Sequence, residues 1–153
     1  MELSDTIEVG AARERVWTFL SDPYALGGCI PGLERVEIFE PEGAFGGAAI
    51  FPLGSTELRV PARVEWREQE PPHRGRLYAL LEVKTFAVQV DGTVALQAVA
   101  EHSTEISWHA QVEFPEALAS NPMLVTIGQN VAARFIKTVL ECLQGRLESG
   151  AES

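Results

Sequence analysis

Positive charge is scarce in this chain. Twelve Lys and Arg stand against 22 Asp and Glu over 153 residues, a formal charge of −10. That deficit argues against nucleic acid, whose phosphates are bound by an excess of Lys and Arg, and against docking on anionic lipid by charge alone. Cysteine is nearly absent. Cys29 and Cys142 lie far apart with no CxxC spacing, so a structural disulfide is not expected. No apolar run reaches the roughly 18 residues of a membrane span. Met1 is followed at once by a strand-like pattern, without the basic and apolar regions of a signal peptide. The expectation is a reduced, cytoplasmic, soluble protein with no integral membrane segment.

Chemistry-bearing motifs are missing too. His73, His102 and His109 never fall at metal-ligand spacing, so no metal is expected. Gly43, Gly46 and Gly47 sit in a strand-and-turn context rather than in a strand-to-helix GxGxxG, which leaves phosphate cradling unsupported. Glu57, Glu65, Glu105 and Glu113 fall on the polar parity of their strands, where a solvated face explains them better than an acid–base pair. No cofactor and no catalytic residue is expected. Cys29 reads as a small residue closing a turn, and Cys142 as part of a core.

What the chain does hold is one long apolar segment, PMLVTIGQNVAARFIKTVLECLQGRL at 122–147. Thr126, Asn130, Arg134, Lys137, Glu141 and Gln144 recur every three or four residues and make one narrow wet stripe on a helix. Such a helix spans about 39 Å and requires a wide apolar partner. The rest of the chain supplies strands. Residues 2–9 alternate, and Gly10 breaks them. Short helices are predicted at 12–20 and 23–28, with Asp22-Pro23 starting the second. Strands follow at 33–40, 45–53, 56–68, 76–83, 86–98 and 103–114. Most show one wet and one dry parity, the antiparallel signature. Strands massed together with helices set apart predict a single α+β domain over 1–147, one sheet curving around one helix. Residues 148–153 read as a disordered tail.

Two stretches carry a resemblance. VWTFLSDPYALGGCIPGLERVE at 16–37 has the form VW-x-x-L-x-D-P followed by CIPG and a Glu/Val strand, and Thr104-Glu105-Ile106 stands on a late strand. Together with the element order they resemble the carbon monoxide dehydrogenase G-subunit family of the START/Bet v 1-like (SRPBCC, polyketide cyclase-like) superfamily. The resemblance implies a helix-grip fold: a curved seven-stranded antiparallel sheet wrapped around a long C-terminal helix, with two short helices after the first strand. It further implies an apolar cavity between sheet and helix, the handling of a quinone-like lipid, and partnership with a molybdenum hydroxylase in assembly or membrane recruitment.

The candidate cavity lining follows from parity. Trp66, Phe86, Leu96, Trp108 and Phe114 share the dry parities of their strands, and Tyr78, whose strand is less cleanly patterned, is counted with them. From the helix come Leu124, Ile127, Gly128, Val131 and Phe135. Gly128 costs about 1 kcal/mol relative to Ala in a helix interior, which close packing would justify. Three functions are carried forward. The first is non-catalytic binding of a hydrophobic small molecule, lipid- or quinone-like. The second is an accessory role for a molybdenum hydroxylase, and the third a cyclase- or hydrolase-like enzyme, for which Asp5 and Tyr78 are the sole polar candidates. A homodimer is a further candidate assembly.

Overall fold

Alternation and turn chemistry set the elements in the computed structural model. It describes residues 1–41, 43–53, 55–83 and 86–149, with backbone alone for Phe51, Pro52, Leu53, Val83, Phe86 and Leu118. In chain order they are β1 (Glu2–Val9), α1 (Arg13–Ser21), α2 (Pro23–Gly27), β2 (Glu37–Glu40), β3 (Ala44–Leu53), β4 (Thr56–Glu70), β5 (Arg74–Val83), β6 (Phe86–Ala100), β7 (Ser103–Glu113), α3 (Glu116–Ala119) and α4 (Pro122–Glu148). Every strand pairing is antiparallel, in the order β1-β7-β6-β5-β4-β3-β2. Consecutive strands from β2 to β7 are neighbours, and β1 closes the far edge against β7. Between the expected strands, Glu42 and Gly54 lie outside the described residues.

The period of two then sorts side chains onto two faces. Ile7 lies opposite Ile106, and Ile106 opposite Leu96; Trp108 lies opposite Val94, and Trp66 opposite Leu77. These dry parities form the concave face. Arg76, Tyr78, Asp91, Gln111 and Glu65 fall on the convex one.

The helices start where the sequence caps them. Asp22 Oδ1 accepts from Tyr24 N at 2.9 Å with Pro23 as the first helical residue, which satisfies an otherwise orphaned N–H. Asn121 repeats the device for α4, accepting from Met123 N at 3.0 Å ahead of Pro122. In the CIPG turn Gly32 has φ +80°, and a Cβ there would lie 2.6 Å from the Ile50 carbonyl oxygen, so only glycine fits.

The core sits at one end of the concavity. Leu143 and Leu147 of α4 pack with Val9, Ile106, Leu96, Val16, Phe19 and Leu20. Thr104 is buried among them and donates its hydroxyl to the Ala11 carbonyl at 2.7 Å, so this end contains a satisfied polar group.

Three expectations are corrected, and one short helix is added. Cys29 and Cys142 are paired in a disulfide, their Cα atoms 5.5 Å apart, because α4 returns across the turn that follows α2. The strand expected over 33–40 is shorter: Leu33 makes one bridge to Ala49, and regular pairing begins at Glu37. Residues 116–119 form the single helical turn α3. Glu148 ends α4 and holds Gly10 N through Oε2 at 2.9 Å, so it is no part of a tail, while residues 150–153 lie outside the described residues.

Candidate functional site

The concave face is unevenly covered. At the end where Leu143 and Leu147 are 1% exposed, the side chains are closely packed. Along the rest of the face Val60, Ala110 and Val112 are buried, while Val64, Trp66, Leu77, Ala79, Leu81, Val88, Val90, Trp108 and Phe114 are apolar and only half-buried. A solid core would bury them, as interiors are close-packed.

The helix shows the same gradient. Its sheet-facing seam runs through Val125, Gly128, Ala132, Ile136, Val139 and Leu143. Burial along that seam is complete only at the C-terminal end. The α4 helix packs on β1, α1 and α3, and the disulfide fixes its C-terminal third to the turn after α2. In the N-terminal half, Gly128 meets the ring of Phe114, whose Cζ would lie 2.8 Å from a Cβ. A methyl group at this position would have to push that ring aside.

The predicted lining residues therefore separate. Phe114 and Gly128 are in contact, and Phe135 is half-buried near the same seam. Trp66 is half-buried with its ring centroid 5.4 Å from that of Trp17, and Trp108 is half-buried on the concave face. Leu96 belongs to the packed core. Leu124, Ile127 and Val131 are 40%, 52% and 56% exposed. At 3.6 residues per turn they lie about 110° round the helix from the sheet-facing seam, so they do not form the wall beneath the helix. Tyr78, which alternation leaves undecided, is not on the concave wall either. It stands on the convex face opposite Glu65 and Asp91, with the Arg67 guanidinium 4.1 Å from its ring centroid. The side chain of Phe86 lies outside the described residues.

Polar groups cluster on the convex face instead. Arg76 grips Asp91 with two hydrogen bonds of 2.9 and 2.7 Å. That hydrogen bonding holds the Asp91 carboxyl below its ordinary value and raises Arg76 in turn. Beside the pair is an open depression of about 220 Å³ lined by Arg67, Tyr78, Gln89, Asp91, Gln111 and Glu113. Asp5, on the concave parity, lies at the β1 edge, is exposed, and accepts from Thr6 N at 2.8 Å. His73 pairs with Arg13 Nη1 at 3.3 Å and His109 with Glu2 at 2.8 Å, both exposed. Among the described residues there is no group of three or more His, Cys, Asp or Glu placed to hold a metal. None of their helices is long and apolar enough to cross a membrane.

Two contributors escape a reading of the sequence. Trp17 reaches Trp66 from α1; the adjacent Val16-Trp17 pair was the available signal, since both are buried. The Trp108 indole nitrogen is shielded yet has no hydrogen-bond partner among the described residues. The dry parity of Trp108 was visible, but the missing partner was not.

Comparison with solved structures supports the architecture. A conserved protein from Geobacillus kaustophilus superposes with TM-score 0.84 at 20% identity, covering 97% of this chain and 96% of that one. A START superfamily protein from Mycobacterium smegmatis gives 0.70 at 15%, covering 97% of each. A Streptomyces aromatase/cyclase gives 0.73 at 16%, covering 97% and 93%. At such identities the likeness establishes the START/Bet v 1-like fold and nothing finer. No curated protein sequence matches the chain. The family model for the carbon monoxide dehydrogenase G-subunit (CoxG) matches residues 6–148, and the chain belongs to that family.

Proposed function

We propose that this protein binds a hydrophobic small molecule, lipid- or quinone-like, between the concave sheet face and the N-terminal half of α4, and performs no chemistry on it. The observation that carries the reading is the gradient in burial. Val64, Trp66, Leu77, Leu81, Val88, Val90 and Phe114 of β4 to β7 and the segment after β7 stay half-buried, while one end of the helix is fully packed. Burying an apolar surface is favourable at about 25 cal/mol per Å², so a concave wall left half-covered is suited to an apolar occupant. The N-terminal half of α4 is the end free to adjust, since the disulfide and the Leu143–Leu147 contacts anchor the other. Native mass spectrometry of protein purified gently from its own host tests this. A bound small apolar species is expected; protein without adduct whose crystal structure shows a filled concavity would refute it.

A second reading has an observation of its own. Met123, Leu124, Ile127 and Val131 are 72%, 40%, 52% and 56% exposed, in a segment from Ala117 to Ala133 without a charged residue. Exposed apolar patches suit protein contacts, and the family takes its name from a component of a dehydrogenase. An accessory role toward a molybdenum hydroxylase would use this outer stripe. Retention of the protein on such an enzyme, lost on Ile127→Glu, is its expected sign. The enzyme reading has least support. Its two polar candidates are parted, Tyr78 on the convex face and Asp5 exposed at the sheet edge.

A further inference from the structure

Both cysteines of the chain go into one bond, and that bond meets α4 at a particular place. Cys142 is joined to Cys29 in the turn after α2. Successive helical residues turn by about 100°. Cys142 therefore leaves one flank of α4 and Gln144 and Glu148 the other, with Leu143 and Leu147 between them in the packed core. The second flank is held to β1 by hydrogen bonds. Gln144 Nε2 donates to the Glu8 carbonyl at 3.1 Å, and Glu148 Oε2 accepts from Gly10 N at 2.9 Å. At the very end of the helix Arg15 Nη2 donates to the Leu147 carbonyl at 3.2 Å. On the α2 flank the tie is the disulfide.

This makes α4 a lever with its pivot at the C-terminal end. From Cys142 the helix runs back to Pro122, and Gly128 meets the Phe114 ring along the way. At 1.5 Å per residue, a tilt of about 10° at Cys142 carries the Gly128 turn by roughly 4 Å, enough to part it from that ring. The bond is also placed for attack from one side, since Cys29 is 3% exposed while Cys142 is half-buried.

Resting on the small-molecule reading above, we propose that the Cys29–Cys142 bond is a redox latch on that pocket. Oxidised, it holds the α2 flank of α4 and retains the ligand; reduced, it frees that flank and lets the ligand leave. The reductant is a dithiol. One of its thiolates attacks the Cys142 sulfur, and Cys29 leaves as a thiolate and takes up a proton. The second thiol of the reductant attacks the mixed disulfide, and Cys142 leaves in turn. The protein disulfide thus gains two electrons and two protons, and the reductant ends as its own disulfide. Leu143, Leu147, Gln144 and Glu148 keep the pivot in place, so the domain stays folded.

The test is the dissociation rate of 2-ethylnaphthalene from the wild type, oxidised with oxidised glutathione or reduced with dithiothreitol, and from Cys29→Ser/Cys142→Ser. Thiol titration is expected to find no free thiol in the oxidised protein. The probe is expected to leave the reduced wild type about tenfold faster than the oxidised one. The double variant has the fast rate with or without dithiothreitol. Should the variant fold poorly, amide spectra of the wild type decide the matter by nuclear magnetic resonance. On reduction the signals of residues 27–33 and of α4 move while those of β4 to β6 stay. A rate that is equal or slower on reduction, free thiols that persist after oxidation, or a spectrum that collapses throughout on reduction would overturn the latch and leave the pocket intact. If the oxidised wild type binds no probe, the pocket falls and the latch with it.

Discussion

Asp91 shows how single side chains divide the work of the two faces. Its paired hydrogen bonds to Arg76 lower its pKa from the ordinary 3.8. A carboxyl with a depressed folded pKa contributes stability above the unfolded value, and that contribution is lost as pH falls through the folded one. Asp91→Asn should therefore lower stability at neutral pH and make the loss of stability below about pH 4 shallower. Urea unfolding across an acid series checks this, and an unchanged acid limb would remove the pair from the account of stability. Both partners are partly exposed, so the effect is small. Tyr78 on the same face shows where the sequence misleads. The strand Arg74–Val83 carries Leu77 and Leu81 on one parity and Tyr78 and Leu80 on the other, so alternation alone leaves Tyr78 undecided. The deciding contact is Arg67 over its ring, and Arg67 comes from another strand, beside the register shift that follows Trp66.

The long helix was legible as an element but not in its rotation. Apolar residues spread over most of the segment's circumference, so periodicity locates the wet stripe and leaves open which dry arc meets the sheet. The sheet-facing arc passes through Gly128 and Ala132, and the Leu124–Ile127–Val131 stripe stays outside. The capping of α2 by Asp22 could be read in advance because its signal is local. The disulfide could not, since 113 residues separate its cysteines and their meeting depends on how α4 crosses the turn after α2. Gly128 turns the helix into a gauge of the space beneath it. Gly128→Ala gains about 1 kcal/mol of helix propensity and pushes on the Phe114 ring. With open room beside the half-buried ring, the ring can move and the variant is expected to be more stable in urea unfolding. A loss of stability would mean that Phe114 is held fast on every side.

For the molecule as a whole, the fold was open to reading because the sheet repeats one simple rule. Strands with one dry parity must stack those parities on one face, and the chain order then places β1 and the returning helix. The degree of filling was hidden, because a lining residue and a core residue obey the same parity: Leu96 and Trp108 look alike in sequence, yet one is packed and the other half-covered. Filling is therefore the property to measure. Val131, counted with the cavity lining from the sequence, is 56% exposed, so a blocking substitution belongs at Ala132 on the sheet-facing seam. The most direct measurement is a titration of 2-ethylnaphthalene into the wild type and Ala132→Trp, with urea unfolding of both. If the concavity is open, the wild type binds one equivalent, while Ala132→Trp folds within about 1.5 kcal/mol of it and binds none. A variant destabilised by about 3 kcal/mol or more, from a wild type that takes up no probe, would show a filled core and contradict the cavity.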